Sequence, residues 1–134
     1  MYQMNKKNIE NFIFSLKNTN GGFYLQKNFN QTTLMSSAFS IITLELINSL
    51  GKIETSKEQN YFLKHQDEKT GFFVDPNLNL EYNKIEDIEF NYIHYQTTAF
   101  SLSALDALEM KPKYNFTFMN SFRGKEKISK FFEK

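Results

Sequence analysis

The amino-acid sequence predicts an all-α protein built from stacked helical hairpins, and three observations carry that expectation. First, the chain states one pattern twice. Phe12-Ile13, Lys17, Gly21-Gly22-Phe23 and Ser36-Ser37-Ala38-Phe39-Ser40 return as Tyr61-Phe62, Gln66, Gly71-Phe72-Phe73 and Thr97-Thr98-Ala99-Phe100-Ser101. Second, the apolar residues between these landmarks recur at helical spacing. Third, 134 residues with 40% hydrophobic and 23% charged side chains make a globular balance for a single domain over 1–134. Gly22 and Gly71 lie 49 residues apart but Ala38 and Ala99 lie 61 apart, so the second copy carries a 12-residue insertion. In a stacked array such an insertion belongs in a loop on one face.

Ile9, Phe12, Ile13 and Leu16 fall at i, i+3, i+4 and i+7, an apolar stripe on a first helix from Lys6 to Lys17. Asn18-Thr19-Asn20-Gly21-Gly22 stops it, because glycine and the Asx residues favour turns. Phe23-Tyr24-Leu25 follows as an apolar plug, and 28–33 reads as polar loop. From Met35 a second helix carries Ala38, Phe39, Ile42 and Leu46, widened by Ile41, Leu44 and Ile47, and is expected to be an inner, buried one. Gly51 is its expected C-cap, and Ser56 with Gln59 reads as a capping box for a third helix that runs to about Gln66. Asp67 to Gly71 ends that helix, Phe72-Phe73-Val74 repeats the plug, and 75–91 is the inserted loop. The fourth helix is expected over Ile93 to Met110, finishing before Pro112. Beyond it, Ile128, Phe131 and Phe132 sit at helical spacing as the opening of a third unit. The expected organisation is a first repeat over about 6–51, a second over about 55–112 and the start of a third over about 117–134. Stacked hairpins generally need three units to bury a continuous core, so the chain reads as the N-terminal part of a longer protein.

The spacing Phe12-Ile13, Lys17, Gly21-Gly22-Phe23 resembles the aromatic-aliphatic, Gln, Gly-x-Trp repeat of the terpenoid cyclases and protein prenyltransferases, with Lys17 for the Gln and Phe23 for the Trp. The second copy keeps the glutamine as Gln66 and places Gly71-Phe72-Phe73 one residue further on. The resemblance covers roughly Asn8 to Pro112 and implies an arc of an α/α-toroid, outer helices alternating with inner helices around a central cavity. The chain lacks that family's Asp-x-Asp-Asp and Asp-Asp-x-x-Asp motifs, and without cysteine its zinc set cannot be complete. Catalysis is therefore left undecided, and no cofactor is named.

Composition narrows the classes further. Fifteen Phe and seven Tyr with no Trp imply a core or cavity lined by phenyl rings, with Phe12, Phe39, Phe62 and Phe100 expected in the core. A net charge of +1 gives no footprint for nucleic acid. Absence of Cys removes disulfides and thiolate chemistry. No apolar run reaches the roughly 18 residues of a membrane span, and no apolar leader opens the chain, so a cytoplasmic protein is expected.

Four residues at the start of the fourth helix, Tyr92, His94, Tyr95 and Gln96, form a polar-aromatic cluster that can bind a ligand from within a toroid cavity. A structural histidine is the competing reading. Asp75, Asn77, Asn79 and Glu86 occupy positions 1, 3, 5 and 12 of an EF-hand-like spacing, against which Leu80 stands in place of the turn glycine. A solvated loop is favoured there over a cation site. Lys125, Lys127, Lys130 and Lys134 read as the solvent face of an amphipathic helix in preference to a phosphate site. Two functions stay open: a non-catalytic scaffold that binds a small apolar or glycan ligand or a partner, and the first part of a toroid enzyme acting on isoprenoid or glycan substrates. Self-association through the open end of the arc, with Ile128, Phe131 and Phe132 in the contact, is expected of the isolated chain.

Overall fold

Three of the four α-helices among the described residues begin where a short polar side chain serves the unpaired N–H groups of the first turn. The computed structural model describes residues 5–122. Helix α1 (Lys6–Ser15) is capped by Asn5, whose Oδ1 accepts from the Asn8 N–H at 2.9 Å. Helix α2 (Leu34–Leu46) is capped by Thr33, whose Oγ1 accepts from the Ser36 N–H at 2.9 Å. Helix α3 (Thr55–Leu63) follows Glu54 without a side-chain cap. The expected capping box does not form, since Gln59 turns its Nε2 to the Leu108 carbonyl at 2.8 Å. Helix α4 (Ile88–Ala107) opens five residues earlier than expected because the Asp87 carboxylate takes the N–H groups of Glu89 and Phe90.

The fold is mainly helical, with one feature outside the expectation. Phe23-Tyr24, read as a plug, forms strand β1 and pairs antiparallel with β2 (Thr32–Thr33). Strands of two residues are too short to leave a periodic signal. Nor does Gly51 cap α2. Asn48 stands at φ +61°, its N–H bonds the Glu45 carbonyl at 3.0 Å and the Ser49 N–H bonds Leu44 at 2.7 Å, the two bonds of a Schellman ending. Glu109, at φ +56°, ends α4 in the same way, with the Met110 N–H on Leu105 at 2.9 Å.

Other hydrogen bonds recur with the same spacing. The Phe23 N–H donates to Ser37 Oγ at 2.8 Å and the Phe73 N–H to Thr98 Oγ1 at 2.9 Å. Tyr24 N–H meets the Leu16 carbonyl at 2.8 Å, and Val74 N–H meets that of His65 at 3.0 Å. The Ser-Ser and Thr-Thr pairs thus latch the turn of each half onto its inner helix.

Helices α2 and α4 pack along each other, while α1 and α3 lie outside them as their partners. Phe23, Phe62, Phe73, Leu34, Ile41 and Leu105 are fully buried at the centre. Of the four phenylalanines expected in the core, Phe62 belongs there and Phe100 is half-buried. Phe12 and Phe39 do not, at 56% and 50% exposed. The α1 stripe is narrower than its sequence pattern, with Ile13 and Leu16 inward and Phe12 on the rim. Glu10 takes an inward position instead, receiving Ser49 Oγ at 2.6 Å and Lys52 Nζ at 2.8 Å. These donors, Lys52 first, hold its carboxyl below the usual value near 4.5.

The two halves interlock at the turns. Gly22 has φ +81°, and a Cβ on it would meet the Tyr61 ring at 2.7 Å; its N–H donates to Glu58 Oε1 at 2.8 Å. Lys17 Nζ meets the other oxygen of the buried Glu58 at 2.6 Å. In the second half Gly71 has φ +85°, and a Cβ there would run into the Asn115 carbonyl. Gln66 replaces the charge pair with neutral bonds, accepting from the N–H groups of Lys113 and Tyr114 at 2.9 Å and donating to the Tyr114 carbonyl at 3.0 Å. Thr117–Phe122 forms a 3-10 turn, and the expected contact residues Ile128, Phe131 and Phe132 and the lysines at 125, 127, 130 and 134 lie outside the described residues.

Candidate functional site

A helix turns about 100° per residue, so 92, 94, 95 and 96 cannot share one face. The structure separates them accordingly. Tyr92 is exposed, Gln96 half-buried and His94 only 3% exposed. His94 and Tyr95 meet around Phe72, their rings 6.0 and 5.2 Å from it, and Phe118 stacks on the same ring at 4.1 Å. The Tyr95 hydroxyl donates to the Ile85 carbonyl at 3.1 Å. Burial holds the His94 imidazole below its usual value near 6.5, opposed by the Asn79 backbone, so the ring is neutral at pH 7. Its Nδ1, the Asn91 Oδ1 and the Ser101 Oγ are buried without hydrogen-bond partners, and with the latch residue Thr98 they mark the inward face of α4. This is a buried polar stripe on the inward face of α4.

The inserted loop uses its acids internally. Asp75 Oδ2 accepts the Leu34 N–H at 3.0 Å, where a carboxylate suits the positive end of α2. Asp75 and Asn79 line a crevice of about 350 Å³ with Lys64, His65, Asp67 and Tyr82. Asn77 instead lines a neighbouring crevice of about 270 Å³ across Pro76, and Glu86 lies on an exposed segment. Among the described residues no three His, Cys, Asp or Glu side chains gather as a metal ion would require. Asp67 receives the Tyr82 hydroxyl at 2.6 Å and both the N–H and the hydroxyl of Thr70. Burial, the largest influence, would raise its carboxyl, but these hydrogen bonds together outweigh it and hold the group below its usual value. His65 packs edge-on to Tyr61 at 5.0 Å as the end of α3 turns. Burial and then the Lys64 charge lower its imidazole, against the pull of Asp75.

What sequence reasoning missed is a groove of about 220 Å³ between α1 and α2. Phe12, Ile13 and Leu16 form one wall, Phe39 the other, and Tyr24 and Leu25 close one end. Its lining is almost wholly apolar, and Leu25 is 58% exposed. The corresponding region of the second half is filled. Tyr61, in the place of Phe12, is 3% exposed, and its hydroxyl bonds Thr32 Oγ1 at 3.0 Å. Phe100, in the place of Phe39, packs on Phe39 itself with ring centroids 4.8 Å apart. The sequence carries no local signal for it, because an apolar stripe such as that of Phe12, Ile13 and Leu16 does not say whether another element covers it.

Among the described residues no helix is long and apolar enough to cross a membrane. No protein-family model, no curated protein and no solved structure matches this chain.

Proposed function

We propose that the chain is a non-catalytic helical scaffold, an arc of an α/α-toroid of the terpenoid cyclase and prenyltransferase type, that binds an apolar ligand or partner in the groove between α1 and α2. The observation that carries this reading is that the groove is open and apolar while its counterpart in the second half is occupied by protein. Binding sites favour such concave apolar linings with few polar groups. The polar groups elsewhere support a structural role. His94 is buried, Asp75 serves the start of α2, and Asp67 and Gln66 bond their own chain. The scaffold reading is favoured over a toroid enzyme with its acids elsewhere because the acids Asp75 and Asp67, like Gln66, already have folding tasks.

Titration of the isotope-labelled chain with a fifteen-carbon prenol and, separately, with a neutral oligosaccharide tests it. Saturable methyl shifts at Ile13, Leu16 and Leu25 with the prenol, abolished in the Leu25→Asp variant, are expected. Shifts centred on His94 and Tyr95, or turnover of a prenyl diphosphate by this chain alone, would contradict the reading.

A further inference from the structure

Two hollows of the molecule share one side chain. Tyr24 closes one end of the apolar groove between α1 and α2, and it also lines the crevice of about 270 Å³ in which Asn77 lies. Successive residues of a strand point to opposite faces, so Tyr24 stands outward on β1 while Phe23 is fully buried. A tyrosine suits such a boundary, with an apolar body and a polar tip. Here the tip donates to Asn18 Oδ1 at 3.1 Å, and Asn18 lines the crevice and not the groove. The crevice is polar where the groove is apolar, and its walls include Asn30, Gln31 and Asn77. Among the described residues the side-chain amides of these three make no hydrogen bond within the chain, so each keeps both donor and acceptor for a ligand. No Lys, Arg, Asp, Glu or His among the described residues lines either hollow. At about 220 and 270 Å³ each alone is smaller than the roughly 300 Å³ at which ligand pockets begin, whereas joined over Tyr24 they fall within that range.

Resting on the reading of the groove as an apolar binding site, we propose that its ligand is an amphiphile lying across Tyr24, with a hydrocarbon chain in the groove and an uncharged, hydroxyl-rich head, a sugar ring, in the crevice. Side-chain amides match adjacent hydroxyls, because each sugar hydroxyl both donates and accepts and so does each amide. A phosphate, sulfate or ammonium head would enter neutral walls with no opposite charge to replace its hydration. Pro76 and Asn77 belong to the inserted loop of the second half, so the insertion supplies part of the head site.

The test is titration of the isotope-labelled full chain with octyl β-glucoside, octanol, octyl sulfate and octyltrimethylammonium, each below its micelle concentration, so that the chain is constant and only the head varies. The glucoside is expected to bind about tenfold more tightly than octanol, the gain of one to three neutral hydrogen bonds, and more tightly than either charged compound. A variant combining Asn30→Ala, Gln31→Ala and Asn77→Ala is expected to hold octanol as the parent does and to lose the advantage of the glucoside. A charged compound as the tightest binder, or an advantage that survives in the triple variant, overturns the proposal. Equal binding of glucoside and octanol with shifts at Ile13, Leu16 and Leu25 sinks the head site while the groove reading stands; no binding of any of the four sinks both. The side-chain amide resonances of Asn30, Gln31 and Asn77 in the unaltered chain give a second readout that needs no variant. They are expected to shift with the glucoside and not with octanol, and glucoside binding that leaves them in place contradicts the proposal.

Discussion

Phe12 and Tyr61 hold the same place in the two halves of this molecule, yet Phe12 is 56% exposed and Tyr61 only 3%. Ala38 and Ala99 make the reverse pair, the first fully buried and the second exposed. In a stack, burial is set by which neighbour a unit has, and the residue pattern fixes only which side is prepared to be covered. Lys17 and Gln66 teach the same lesson in polar chemistry. Both reach from just beyond the end of one helix to a distant part of the chain, but Lys17 answers the buried carboxylate of Glu58 on α3 and Gln66 answers the bare backbone at 113–114.

That last contrast is the easiest to break, and it carries the largest expected loss in this group. Lys17→Met leaves Glu58 buried without its cation, which should destabilise the fold by about 3 kcal/mol in urea denaturation. Adding Glu58→Gln should recover part of that loss, and a double variant no better than the single one would mean that the pair is not the cause. Gly71→Ala comes next. It places a side chain at φ +85° against the Asn115–Phe116 backbone and should cost about 2 kcal/mol, whereas Gly51→Ala, with open space and no positive φ, should be neutral within about 0.5 kcal/mol. Equal losses at the two glycines would remove the argument that the turn is closed by the following segment.

The smallest effect is on pH. Both histidines lie in the second half, and both are held below 6.5, chiefly by burial. The unfolded chain therefore takes up protons first as pH falls. Their contribution is fully present above about 6.5 and is lost as pH falls towards the folded values, while that of Glu10 persists down to about 4.5 and is lost below it. Melting temperature should thus decline between pH 7 and 5, and His94→Thr, which borrows Thr33 from the equivalent place in the first half, should flatten the decline. An unchanged slope in that variant would show that His94 is not the titrating group.

Much of the fold was legible because periodicity reports a helix directly. The stripes of α1, α2 and α4 emerge near their expected places, as does the buried inner character of α2. Boundaries were less legible where the signal lay in a single cap. Asp87 in a loop rich in Asn and carboxylates, and Asn48 in a left-handed conformation, outcompeted the more obvious Ile93 and Gly51. At the candidate site, Tyr92 to Gln96 looked like one cluster only while read linearly. The groove was illegible for a different reason: Phe12 belongs to a well-formed apolar stripe, and a stripe says nothing about whether another element reaches it. Glu10 and Glu58 escaped notice because buried carboxylates are recognised by their partners, here Ser49 and Lys17, 39 and 41 residues away, which no local pattern connects.

Equivalent positions of the two halves differ in burial because, among the described residues, only the second has a neighbour on that flank. Urea denaturation of Phe12→Ala and Tyr61→Ala at a dilution where the chain is monomeric tests it most directly. Tyr61→Ala is expected to cost about 3–5 kcal/mol, the loss of a buried ring, and Phe12→Ala less than about 1 kcal/mol. Equal costs for the two variants would contradict the account, since they would place both rings in the same surroundings.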